Sequence, residues 1–175
     1  LATNDGLHLN LAATGAITSI DSEGKGVGSA GTSPTGLLVR DVGKDGPAVN
    51  VGGEIKQESD GIRQTARLED LGLAVTATYR ADGSFIEVQG AVSDTRGEDR
   101  AVTVYFALPV SEAPWQWWDS VATSRSGGDA EEALGNFESG VEYGLRGEHS
   151  RYPIGAVTCP EQGGLTLAIR MDEPV

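Results

Sequence analysis

A chain of 175 residues is long enough for a domain with a real core, since a fold of this size buries about 70% of the surface its unfolded chain exposes. Its apolar residues, 38% of the total, fall in short segments, none near the roughly 20 residues that a membrane-spanning helix needs. A formal charge of −13 repels phosphate backbones and anionic membranes, which argues against nucleic acid and membrane partners and leaves a neutral ligand such as a glycan compatible; solubility alone also accounts for the acidity.

Period-two alternation, the mark of a half-buried strand, recurs along nearly the whole chain. Leu7, Leu9 and Leu11 share one face, and Gly15 to Ile20, Leu37 to Val42 and Ala48 to Val51 follow as further strands. Ser22 to Gly36 is rich in Gly, Ser and Thr and has little to bury, which predicts a flexible loop over 22–36. Ile62 to Leu68, Leu73 to Tyr79 and Phe85 to Val92 predict an antiparallel meander. The connector between its last two strands, Arg80 to Ser84, contains Asp82-Gly83, a hairpin signal because Gly tolerates positive φ. Ala101 to Val110, Pro153 to Thr158 and Gly164 to Met171 continue the series to around ten strands. Asp129 to Leu134 is the one helix-like stretch, with Asp129 as N-cap and Gly135 as stop. Many closely spaced strands without crossover helices predict an all-β, antiparallel β-sandwich in a single domain spanning 1–175. The chain opens at Leu1 without an initiator Met or a leader segment and closes directly after a strand-like run. It therefore reads as a piece of a larger multidomain protein.

Motifs for catalysis are weak. Gly26-x-Gly28-x-x-Gly31 matches a dinucleotide fingerprint only formally, since Thr32-Ser33-Pro34 does not start a helix. No GxSxG elbow is present, and His8 and His149 each read as turn or surface histidines. Cys159, the single cysteine, rules out an internal disulfide and reads as a small buried apolar side chain. No catalytic residue and no cofactor are expected. A structural calcium in the loop Asp41 to Gly46 is left open.

The most informative stretch is Pro114 to Asp119, which holds all three tryptophans. In a strand, Trp115 and Trp117 share one face and Trp118 takes the other. One reading has them filling the sandwich core. The other has exposed indoles stacking on a sugar ring, with Gln116, Asp119 and Arg125 supplying hydrogen bonds. The split faces allow both at once.

Gly6 to Leu11 followed by Thr14 to Ile20 resembles the opening hairpin of the galactose-mutarotase-like supersandwich domains found at the N-terminal side of many glycoside hydrolases. Gly36 to Val42, Asp99 to Pro109, the tryptophan segment and Ser150 to Val157 resemble the N-terminal region of large bacterial glycoside-hydrolase-like proteins. That resemblance implies a sandwich packed beside a catalytic barrel, contributing a loop to its substrate cleft, with the hydrolytic acids downstream. A mutarotase proper needs a His base and a Glu acid in one concave site, and neither histidine here falls in such a motif. The expectation is a non-catalytic N-terminal sandwich domain of a secreted glycoside hydrolase or carbohydrate-processing protein, extracellular or in the cell envelope. Its partners are a carbohydrate or the protein's own downstream catalytic domain. The alternatives are an autonomous carbohydrate-binding module, with Trp115, Gln116, Trp117, Trp118, Asp119 and Arg125 as its site, and a stand-alone mutarotase-like epimerase or lyase.

Overall fold

The structure, a computed structural model, describes residues 1–110, 115–118, 121–122, 124–126, 154–161 and 163–170. The chain divides into two compact units, Leu1–Val110 and Ser111–Val175. It is all-β, an antiparallel sandwich, as the alternation predicts; a three-residue 3-10 turn at Val42–Lys44 is the one helical element among the described residues. The predicted helix at Asp129 to Leu134 lies outside the described residues.

In the first unit, β1 (Leu7–Leu11), β2 (Ile17–Ser22) and β3 (Lys25–Ser29) form one antiparallel sheet. A second sheet places β4 (Gly36–Asp41) between β5 (Val49–Asn50) and β10 (Val102–Ala107). The third is a four-stranded meander of β6 (Glu54–Glu58), β7 (Gly61–Leu68), β8 (Leu73–Asp82) and β9 (Phe85–Asp94). Leu73, Val75, Ala77 and Tyr79 point inward from β8, and the register places Ala66 and Gln64 beside Val75 and Ala77 on the same face. Ile17, Ile20 and Val27 from the first sheet and Val39 from the second are fully buried, each worth about 1.5–3 kcal/mol as transfer from water. Residues Gly36 to Val39 are buried on both faces of β4, and their nearly continuous apolar run is the pattern of a strand covered on both sides. The Tyr79 ring tilts against Phe106 at a centroid distance of 6.3 Å, joining the third sheet to the second.

The segment Ser22 to Gly36 departs from the expected flexible loop, because β3 lies inside it, paired with β2. Glu23 and Gly24 form the two-residue connection with φ of 51° and 75°, the positive pair that a tight hairpin requires. Val27 anchors the strand in the core. Gly28 faces the backbone of Pro109 so closely that a Cβ would overlap the Pro109 carbonyl oxygen. Gly28 and Gly36, which suggest mobility in the sequence, are thus packing sites, whereas Gly24 and Gly31 have open space around them. At the meander's second hairpin the strands run deeper into the connector than the sequence suggests. Asp82 pairs with Phe85, so Gly83 and Ser84 make the turn, with Gly83 at φ 61°.

Two polar networks lie in the first unit. The Tyr79 hydroxyl donates to Gln64 Oε1 at 2.6 Å, and Gln64 Nε2 donates to the Gly52 carbonyl at 2.6 Å; both side chains are buried. The other centres on Arg100, which donates to the Leu71 carbonyl and to the carboxylates of Asp94 (3.1 Å) and Asp41. It fastens the end of β4, the β7–β8 connection and the end of β9 to one guanidinium.

In the second unit, β11 (Gln116–Trp118) lies between β12 (Ser124–Ser126) and β13 (Ile154–Cys159), and β14 (Gly163–Ala168) forms the edge beyond β13.

Candidate functional site

The tryptophan segment forms a strand, and its register sorts the residues onto two faces. Trp117 stands opposite Val157, whereas Gln116 stands opposite Thr158 and Trp118 opposite Ala156. On the Trp117 side Gly155, Val157 and Cys159 are buried, and Trp115, just before the strand, is also buried. This side holds the apolar interior of the sheet, and Cys159 serves there as a small apolar filler. On the other side are Gln116, Trp118, Ala156 and Thr158, all half-buried, flanked by exposed Ser124 and Thr166 from β12 and β14. The alternation therefore divides the indoles as period two predicts, with Trp115 and Trp117 against Trp118.

Trp118 is held in place. Its Nε1–H donates to Thr158 Oγ1 at 2.9 Å, a diagonal cross-strand contact that fixes the ring in its plane. Ser124 donates a long hydrogen bond of 3.4 Å to Gln116 Oε1 on the same face. A half-buried indole fixed at its polar edge and surrounded by hydroxyl and amide groups offers two things that a pyranose needs, an apolar plane and directional hydrogen bonds.

Of the other residues that sequence reasoning assigns to this site, Arg125 stands opposite Trp117 in the β11–β12 register, and Asp119 lies outside the described residues, as does His149. His8 is exposed on β1. The structure thus places Gln116 and Trp118 together on one face and Trp115 on the buried one. Thr158, Ser124 and Thr166 join the site only through strand pairing, for which the sequence carries no local signal.

Among the described residues, the carboxylates with perturbed pKa values lie in the first unit. Arg100 holds Asp41 below the usual carboxylate range. The Glu98 N–H, followed by Arg100, does the same for Asp94, which also accepts from the Arg96 N–H. Carboxylates kept ionised in this way do not donate protons as general acids. The same contacts bear on calcium. Asp41 is taken by Arg100 and Lys44, and Asp45 by Arg40 at 2.9 Å, so the acidic side chains of the loop Asp41 to Gly46 face cations of the protein itself. No group of three metal-ligating side chains occurs among the described residues.

No family model matches this chain, and the comparisons with curated proteins and with solved structures find no match either.

Proposed function

We propose that this chain is a non-catalytic β-sandwich domain of a secreted glycoside hydrolase or related carbohydrate-processing protein, a scaffold that lends a sugar-contacting face to the rim of a substrate cleft. The observation that carries this reading is the face of Trp118, with its indole edge bonded to Thr158 and with Gln116 and Ser124 beside it. Such a face suits the apolar side of a neutral sugar ring, in keeping with a strongly acidic chain that disfavours phosphate. The pairing of Asp41 and Asp94 with Arg100, which lowers the pKa of both, supports a structural duty for these two acids of the first unit.

A glycan-array screen of the chain, with Trp118→Ala as the paired variant, tests the reading. The expected result is weak, saturable binding of neutral glycans that Trp118→Ala abolishes while the fold is kept. A rim face makes only part of the contacts of a full cleft, so dissociation constants near the millimolar range are expected. Micromolar affinity would instead favour an autonomous carbohydrate-binding module using the same face. Glycan binding indifferent to Trp118 would refute the site, and an array without hits would refute sugar contact by this chain.

A further inference from the structure

The outward face of the meander is a second surface, built from different residues. Register places Arg63 beside Lys56 and Thr78, Thr65 between Glu54 and Thr76, and Arg67 beside Ala74, all on the face opposite Leu73, Val75 and Tyr79. Thr76 continues the middle row to Ala91 on β9. A row of small side chains, Thr65, Thr76 and Ala91, therefore runs from Glu54 on the edge strand β6 across β7, β8 and β9, with Arg63 on one side and Arg67 on the other, about 13 Å apart along β7 at strand rise. Short residues flanked by long ones leave a trough, and on its Arg67 side a space of about 320 Å³ opens, with Glu54, Thr65, Arg67, Ala74 and Thr76 in its lining and Arg63 outside it.

The two arginines stand out by their lack of partners. In the same unit Arg40 pairs with Asp45 and Arg80 with Asp60, Arg96 donates to the carbonyls of Glu69 and Asp70, and Arg100 holds Asp41 and Asp94. Arg63 and Arg67 are exposed, and no ion pair or hydrogen bond engages either one among the described residues. Glu54, the nearest acid in register, pairs with Lys56 at 3.3 Å. A chain with twice as many acidic as basic residues, 26 against 13, thus leaves two guanidiniums unspent on one face of one strand.

We propose that this trough binds an acidic polysaccharide, with sugar carboxylates paired to Arg63 and Arg67 and sugar hydroxyls bonded to Thr65 and Thr76. The guanidinium fork matches a carboxylate in two-point geometry, and threonine hydroxyls both donate and accept. The net charge of −13 opposes every polyanion at range, so retention depends on these local contacts. The proposal rests on the carbohydrate reading for its choice of a sugar polymer as carrier of the carboxylates, but it uses none of the residues around Trp118.

The test is affinity electrophoresis and calorimetry of the chain with polygalacturonate, its fully methyl-esterified form and poly-L-glutamate. Expected are binding to polygalacturonate, at least tenfold weaker binding to the ester and to the polypeptide, and a loss of at least tenfold in Arg63→Gln/Arg67→Gln. Thr76→Glu, which puts an acid on the trough floor and leaves both arginines in place, should weaken binding to a similar degree. Trp118→Ala should leave it unchanged. Both trough variants change exposed side chains, and their melting curves should match the parent's. Equal binding of acid and ester, equal binding of poly-L-glutamate, or no binding of polygalacturonate would each overturn the proposal. Loss of polygalacturonate binding in Trp118→Ala alone would also overturn it and would leave the Trp118 reading standing. Failure of that reading shows separately, in the neutral-glycan screen.

Discussion

Changing Tyr79 to Phe deletes one oxygen from a fully buried polar contact of the first unit. The Tyr79 side chain is 0% exposed and Gln64 is 1% exposed, so when the hydroxyl goes, Gln64 Oε1 loses its donor where water does not replace it. An unmet buried acceptor costs about 1–3 kcal/mol, against a few tenths for a hydroxyl lost at the surface. Gln64→Leu should cost more, because it strands both the Tyr79 hydroxyl and the Gly52 carbonyl, whereas the double variant strands only the carbonyl. The cycle should therefore show a coupling of about 1 kcal/mol or more between the two positions. Urea unfolding followed by far-UV circular dichroism is the appropriate assay. Indole fluorescence is not, since all three tryptophans lie in the second unit. A pH arm adds an independent check. Burial pushes the Tyr79 phenol above its ordinary value of 10.0, so the native state holds this proton more tightly than the unfolded chain does. The resulting stability is present below pH 10 and is lost as pH rises above it, by about 1.4 kcal/mol per unit for one proton. Tyr79→Phe should lack that component of the alkaline loss. A cost below about 0.5 kcal/mol, or single variants that add without coupling, would refute the network as described.

Three further outcomes follow from particular contacts. Asp41 and Asp94 have their pKa values held below the usual 3.8, so the stability they contribute is present above that value and is lost as pH falls through their native pKa values; Asp94→Asn should flatten the acid limb of a melting-temperature profile against pH. Gly28→Ala drives a methyl group into the Pro109 carbonyl and should destabilise the first unit by about 1–3 kcal/mol in urea titrations, whereas Gly31→Ala, with open space around it, should be near neutral. Trp115→Ala removes a buried indole and should cost about 3–5 kcal/mol in thermal or urea unfolding. Trp118→Ala, half-buried on the outer face, should cost clearly less.

Much of the fold is legible in the sequence because a half-buried antiparallel strand writes its faces into its residues. Leu73 to Tyr79 alternates so regularly that strand, partner and inward face all follow from it. β6 escapes such a reading because Glu54, Lys56, Gln57 and Glu58 surround a single Ile55. An edge strand that is largely solvated carries charges that mimic a loop and discourage further pairing. β3 escapes because Gly28 answers to a neighbouring backbone, at Pro109, that local composition does not reveal. At the candidate site the division of Trp115 and Trp117 from Trp118 follows from period two alone. The contribution of Thr158 and Ser124 depends on which strands flank β11, a long-range pairing that connects residues 40 positions apart in the case of Trp118 and Thr158. Arg63 and Arg67 are ordinary surface arginines in the sequence, and only the pairing of every other arginine in their unit sets them apart.

The most direct test of the account is a titration of intrinsic tryptophan fluorescence with the best neutral glycan from the array, run in parallel on the parent chain and on Trp118→Ala, with folding of both checked by circular dichroism. The account predicts a saturable, sugar-dependent change in the parent that is absent from the folded variant. An equal response in the two proteins, or a response lost only in Trp115→Ala or Trp117→Ala, would contradict the assignment of the sugar-contacting face to Trp118.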